Sequence, residues 1–450
     1  MATQVEHDFE QRFPESHSLT DRARAVLPGG LSHDSRYLPP FPVYISRAEG
    51  SHKWTEEGHE LIDLGMGHGS LILGHGHPAI KAAITEQIER GTHFSAAHRL
   101  EVEWAERIVR LVPSAELVRF TGTGTEATLL SMRLARAHTG RPRFLKLHGH
   151  FHGWHDEAIV DAKPPYDGPS TAGYNPATVT LTTAIPANDV EAMRTELETE
   201  QYAGVILEPS GGSWGTVPLV PGYLEQVREL TARTGTLLVF DEVVTGFRFA
   251  PGGAQELYGV VPDLTALAKI LAGGLPGGAV TGRREIVEHM AFRGDARDHG
   301  ERVAQHGTFN ANPLSAAAGI AALDLLQDGT IQRQVTQAAA RLCEGMNDVL
   351  QALDLPGCAY RTGSLFHVYV GEDCPIWVED GAIKGEIDSA KLETGMPGLA
   401  DFRHALNLRG VDLFRDGGIL SVAHSDADVD LIVGAFESAL RDLGRAPQAL

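Results

Sequence analysis

The stretch Asp263-Leu-Thr-Ala-Leu-Ala-Lys269-Ile-Leu-Ala-Gly273-Gly274-Leu-Pro-Gly277-Gly278 decides how the rest of the chain is read. The chain has seven lysines, Lys53, Lys81, Lys146, Lys163, Lys269, Lys384 and Lys391, and Lys269 alone stands inside an apolar run that ends in a dense glycine cluster. Such a position strips water from the ammonium group, makes the charged form costly and leaves an amine available as a nucleophile. The apolar run before it, Leu264–Ala268, reads as a strand. Further strands are expected at Leu117–Phe120, Arg143–Leu147, Gly204–Glu208, Thr236–Val243 and Gly278–Gly282, and helical patterns at His98–Leu111, Glu126–Ala137 and Pro221–Arg233 lie between them. Strand and helix in alternation predict an α/β fold with a mostly parallel sheet covered on both faces, whose ligands bind beyond the carboxyl ends of the strands.

Twenty-eight residues before Lys269, the apolar strand Leu237-Leu-Val-Phe ends in Asp241-Glu242, followed by Val243-Val-Thr245-Gly246-Phe247-Arg248. An acid at that edge needs a cation, which a protonated pyridine nitrogen would supply; a helix cap or a salt bridge to Arg248 would serve as well. Upstream, Arg119-Phe-Thr121-Gly122-Thr123-Gly124-Thr125-Glu126 turns a strand into a helix, where backbone N–H groups and threonine hydroxyls suit a phosphate, or simply cap the helix. The run is neither a Walker loop nor GxGxxG. His148-Gly-His150-Phe151-His152-Gly153-Trp154-His155-Asp156 suggests a metal at first sight, but glycine breaks it and the HExxH spacing is missing. A ring stacking on a flat cofactor is the better reading, and no metal is expected. Gln305-His306-Gly307-Thr308-Phe309-Asn310-Ala-Asn312-Pro313 offers a second phosphate contact or a capped helix start. Taken in order, a phosphate loop, a stacking ring, an acid at a strand end and a lysine describe a pyridoxal phosphate site.

A net charge of −21 argues against nucleic acid or an anionic membrane as partner. Three cysteines, Cys343, Cys358 and Cys374, show no ligand spacing and fit reduced thiols. With no hydrophobic leader and no long apolar run, a cytoplasmic protein is expected. Residues 66–328 are read as a large cofactor-binding domain and 329–450 as a small α+β domain, with the N-terminal segment 1–65 packing against the small one.

Phe240-Asp241-Glu-Val-Val-Thr-Gly-Phe-Arg248 and Leu267-Ala-Lys269-Ile-Leu-Ala-Gly-Gly-Leu-Pro-Gly-Gly278 resemble the class III aminotransferases of the aspartate aminotransferase fold, a resemblance running from about Leu19 to Leu443. Within them the chain is similar to the branch of glutamate-1-semialdehyde aminomutase and the D-phenylglycine and β-phenylalanine aminotransferases. Gly67-His-Gly-Ser-Leu-Ile-Leu-Gly-His-Gly-His-Pro78 and His150-Phe-His-Gly-Trp-His-Asp156 lean towards D-phenylglycine aminotransferase.

The resemblance implies a type I fold with a seven-stranded, mostly parallel sheet, pyridoxal 5'-phosphate as cofactor, and a homodimer with shared sites. It makes Lys269 the Schiff-base lysine and proton carrier, and Asp241 the partner of the ring nitrogen. Thr123, Gly124, Thr125 and, from the neighbouring subunit, Thr308 hold the phosphate. Phe151, with His152 beside it, and Val243 flank the ring; Arg36 and His68 contact the substrate, Arg36 through its carboxylate. The expected activity is amino transfer between an amino acid, aromatic or β-amino acids included, and a 2-oxo acid. Intramolecular aminomutation is the alternative, with a racemase or a non-catalytic relative behind it. The chain departs from aminomutases at Gly122-Thr-Gly-Thr125, where they show Asn-Ser-Gly-Thr, and at His68, where they carry tryptophan. At the stacking position, often tyrosine, it has Phe151.

Overall fold

Strand β5, Leu237–Glu242, is buried along its whole length, and the alternation of its side chains divides the core around it. The computed structural model describes residues 3–295, 298–372, 374–379, 382–384 and 387–444, which fall into two units. One comprises Pro78–Arg333 and Ile387–Thr394; the other comprises Met1–His77, Gln334–Glu386 and Gly395–Leu450.

The first unit holds a seven-stranded sheet made of β1 (Leu117–Thr121), β2 (Arg143–Leu147), β3 (Thr182–Ile185), β4 (Tyr202–Leu207), β5, β6 (Leu264–Ala268) and β7 (Gly278–Gly282). Their order is β1-β7-β6-β5-β4-β2-β3. Pairing is parallel from β3 through β6, and β7 runs antiparallel to both its neighbours. This is the mostly parallel sheet that the sequence predicts, and β3 is the strand absent from the six expected. Its Thr-Thr-Ala-Ile is short and half polar, which suits an edge strand and gives a weak apolar signal.

Both faces of the sheet are covered. Phe144, Ile206, Val239 and Ala266 point to one core with Leu130 and Leu134 of the helix Gly124–Thr139, whereas Leu145, Val205, Leu238 and Phe240 point to another with Leu224 and Val227 of the helix Tyr223–Thr234. The period of two carries this division to the strand ends. Asp241 and Glu208 therefore share the face of the helix Gly124–Thr139, and Glu242 takes the opposite one.

The helix Arg99–Leu111 begins with a capping box between His98 and Glu101 and buries Trp104 and Ile108. Trp104 Nε1 donates to the Leu271 carbonyl at 3.0 Å, tying down the turn that follows Lys269. Truncating a buried tryptophan of this kind costs about 3–5 kcal/mol.

Lys146 on β2 is fully buried, and its ammonium donates to the carbonyls of Ala158 at 2.9 Å and Val160 at 2.7 Å. Burial lowers its pKa from 10.5 to about 7, against the pull of Asp161, Glu208 and Glu393. Between those values the unfolded chain binds the extra proton, so this group makes the fold more stable as pH rises from about 7 to 10.5. The gain is at most about 1.4 kcal/mol per pH unit. Lys146→Met removes it: the wild type is expected to gain stability over the variant as urea unfolding is followed from neutral to alkaline pH. A constant difference would place the lysine's titration elsewhere.

The second unit contains a four-stranded sheet in the order Ile45–Glu49, His52–Thr55, Glu60–Asp63, Val411–Asp412, and a three-stranded antiparallel sheet of Gly357–Thr362, Leu365–Val370 and Gly417–Ile419. Lys53 bridges Asp63 at 2.8 Å and Asp412 at 2.5 Å, joining strands from the two ends of the chain.

Candidate active site

At the carboxyl end of β6 the chain makes a sharp left-handed turn at Lys269, whose φ is 54°, and continues into the 3-10 turn Lys269–Ala272. A side chain in that region of φ/ψ is strained, and the strain aims Lys269 off the strand end instead of along the sheet. The side chain is half-buried. Burial lowers its pKa, Asp241 and Glu208 raise it, and Arg248 lowers it further.

The two acids that end β5 separate, as alternation requires. Glu242 bonds Thr245 Oγ1 at 2.8 Å and Gln255 Nε2 at 2.9 Å, and it accepts the N–H groups of Ala254 and Gln255 at the start of the helix Ala254–Tyr258. It is thus a cap supplied from a strand. Asp241 is buried on the other face; its Oδ1 accepts Val243 N–H at 3.1 Å, and its Oδ2 lies 2.8 Å from His152 Nδ1. Burial raises its pKa to about 7, with Lys269 pulling the other way. Burial holds His152 well below its usual pKa, so the neutral imidazole donates through Nδ1 to the carboxylate while Nε2 has no partner.

Close approach builds the Thr123-Gly124-Thr125 loop against these groups. A Cβ on Gly124 would lie 2.9 Å from Val243 Cγ2 and 3.4 Å from Ala268 Cβ, so only glycine lets the loop touch both strand ends. Thr123 caps the helix Gly124–Thr139, its hydroxyl accepting Glu126 N–H at 3.2 Å, and the first-turn N–H groups of that helix point the same way. Capping and anion binding are two uses of one geometry here. Thr128 Oγ1 donates to the His152 carbonyl at 2.6 Å, and Gly153, at φ 103°, packs where a Cβ would strike Thr125. Phe151 is consequently held beside the loop with its ring exposed.

Glu208 is a residue that the sequence reading did not single out for the site. Its carboxylate accepts N–H from Phe151 at 2.8 Å, Ser213 at 3.1 Å and Trp214 at 2.9 Å, and burial beside Asp241 raises its pKa to about 8 despite those donors. It positions the backbone at Phe151 and the left-handed turn around Ser213. The signal was available: β4, like β5, is an apolar strand running into an acid.

Thr308 is exposed in the same unit, with its carbonyl on His93 Nε2. Further along, Asn312 caps the helix Pro313–Leu326 through Ser315 N–H, so that stretch is a capped helix start. Arg36 and His68 belong to the other unit and line one cavity there. Arg36 Nη1 donates to Ser32 Oγ at 2.9 Å; His68, left-handed at φ 54°, contacts Ser35 Oγ at 3.0 Å and stacks on His33.

The Lys269 site fits a flat, phosphorylated pyridine. It offers an amine, a buried acid for a cationic ring nitrogen, an anion-binding helix start, and Val243 and Phe151 beside them.

Residues 34–374 match the family model Aminotransferase class-III. The chain is 43% identical over 359 residues to the glutamate-1-semialdehyde 2,1-aminomutase of Methanothrix thermoacetophila, covering 79% of this chain and 82% of that one. Among solved structures, an omega-transaminase from Sphaerobacter thermophilus matches with a TM-score of 0.83 and 33% identity, over 95% of this chain and 97% of that one. A transaminase solved with PLP bound matches equally, at TM-score 0.83 and 30% identity, over 96% and 98% of the two chains. This chain belongs to the class-III aminotransferases, a family of enzymes, and it has their α/β fold. The cofactor in that last neighbour is the one the sequence motifs describe. Among the described residues, no helix is long and apolar enough to cross a membrane.

Proposed function

We propose that this chain is a pyridoxal phosphate enzyme that moves an amino group on a small carboxylate substrate. The observation that carries the proposal is the convergence of Lys269, Asp241 and the Thr123-Gly124-Thr125 loop at neighbouring strand ends of one sheet. Bound there, the cofactor supplies an electron sink for charge developing at the substrate carbon. Lys269 is the amine that would hold the cofactor, and its Nζ would carry the proton to and from the substrate carbon. Asp241, oriented by His152, holds its negative charge at the ring nitrogen. Thr123, Gly124 and Thr125 hold the phosphate, together with Thr308 of the partner subunit in a cytoplasmic homodimer. Phe151 and Val243 cover the ring faces. Residues 66–328 are the cofactor-binding domain in this reading, and 329–450, with 1–65 against it, the small domain.

The relatives' names favour intramolecular aminomutation of the glutamate-1-semialdehyde type over the intermolecular transfer that the sequence reading put first. Two points keep the aminotransferase as a second reading: the resemblance sets His68 where aminomutases carry tryptophan, and the cavity that Arg36 and His68 line has a largely apolar wall. Product analysis with and without a 2-oxo acid separates them. Turnover of glutamate-1-semialdehyde that ignores the acceptor supports the mutase; turnover of an amino acid that requires the acceptor supports the transaminase.

Either way, Arg36→Ala is expected to weaken carboxylate substrates by about 1.5–3 kcal/mol, the range for hydrogen bonds to charged groups. Steady-state kinetics with unchanged KM and kcat would show that another residue takes the carboxylate.

A further inference from the structure

The cavity in the unit containing both chain ends has a volume of about 500 Å³, within the range of small-molecule sites. Leu31, Leu38, Val43, Leu413 and Phe414 make much of its wall apolar. Five charged residues face it: Lys53, Asp63, Asp412, Arg36 and Arg403. Lys53 is held between the two aspartates, so that triad carries one net negative charge and its cation is occupied. Arg403 gives its Nε–H to the Leu413 carbonyl at 3.1 Å and keeps the rest of its guanidinium. With Arg36 added, the lining carries a net positive charge, which favours an anion.

The informative residue is Asn407, at the end of the helix Leu399–Asn407. It lines the same cavity and is only 3% exposed, and neither Nδ2 nor Oδ1 has a hydrogen-bond partner. A buried amide without partners costs stability, and few native residues are left so. An amide offers one donor and one acceptor side by side. A carboxylate alone satisfies only the first; a hydroxyl or ammonium group on the adjoining carbon satisfies the second, after a small turn of the side chain into the cavity.

We propose that this cavity takes a 2-hydroxy or 2-amino carboxylate with an apolar body, Arg36 supplying the charge and Asn407 reading the group beside the carboxylate. The assignment rests on Arg36 as the carboxylate contact and on the second of the two readings above, because a semialdehyde has no apolar body to fill such a wall.

A hydroxy acid has no amine to transfer, so its binding can be measured on the cofactor-loaded enzyme without turnover. Calorimetric titration would compare 2-hydroxy-3-phenylpropanoate, 3-phenylpropanoate and 2-phenylethanol. The hydroxy acid is expected to bind at least about tenfold more tightly than the acid lacking the hydroxyl, in keeping with an added hydrogen bond that leaves no polar group unpaired. The alcohol is expected to bind weakest. Asn407→Leu should erase the difference between the two acids, weaken 3-phenylpropanoate less than the hydroxy acid, and raise Tm. Arg36→Ala should weaken both acids.

If Asn407→Leu retains the tenfold preference, or if neither acid binds the wild type, the proposal falls. A loss seen with Arg36→Ala and not with Asn407→Leu overturns Asn407 alone and leaves the carboxylate assignment standing. Acids that bind Arg36→Ala as they bind the wild type overturn the charged half together with that assignment. The acceptor requirement of turnover, measured separately, tests the aminotransferase reading itself.

Discussion

Lys269→Ala enzyme mixed with pyridoxal phosphate is expected to show only the spectrum of the free cofactor, and its amino-transferring turnover is expected to fall by about 10⁴-fold or more. Two losses combine. Alanine has no amine to bond the cofactor, and the proton carrier disappears, a role worth about 10²–10⁴-fold by itself. The left-handed backbone at residue 269, with φ 54°, is no easier for alanine than for lysine, so the variant inherits the turn's strain without its use. Lys269→Arg serves as the control for charge: it keeps a cation near Asp241 and Glu208 and should be equally inactive. A wild type that shows only the free cofactor's spectrum would sink the assignment, as would a Lys269→Ala enzyme that turns over normally.

Asp241→Asn is the second large effect. The substitution keeps the shape that contacts His152 and Val243 N–H and removes the charge. Asp241 is buried, and with no ring nitrogen beside it burial raises its pKa to about 7. A cationic nitrogen in contact would return it to the ionised form, so the pair exists only when both charges are present. Removing one partner of a buried ion pair costs about 3–5 kcal/mol, which should appear as weaker cofactor retention on dialysis. Loss of electrostatic stabilisation should lower kcat by about 10²–10³-fold. A kcat and cofactor content both near wild type would show that Asp241 serves only to fix His152.

Much of the fold was legible in the chain. Six of the seven strands lie within a residue or two of their expected limits because sheets buried on both faces require apolar runs: Leu264–Ala268 has one, Arg143–Leu147 is apolar but for its first residue and Lys146, and Gly278–Gly282 has the glycines that β7 needs against its neighbours. Thr182–Ile185 was illegible because an edge strand has only one neighbour to satisfy, and its Thr-Thr-Ala-Ile can remain half polar. The helix start at Thr123 was read as either a cap or a phosphate loop, and it has the geometry of both.

The sequence by itself determined which groups the candidate site can hold: an amine in an apolar run, an acid 28 residues earlier at another strand end, and a glycine-threonine turn before a helix. Those are properties of residue type and spacing, and local physics acts on them directly. Only the tertiary structure decided which acid of the Asp241-Glu242 pair faces the site. Side-chain alternation assigns the two to opposite faces, but which face becomes the site depends on where the helix Gly124–Thr139 packs. The same holds for Glu208, whose three backbone donors come from two loops, and for Asn407, whose amide is buried without partners at the end of its helix. Burial and partnership are relations between distant segments, and no single stretch of sequence contains them.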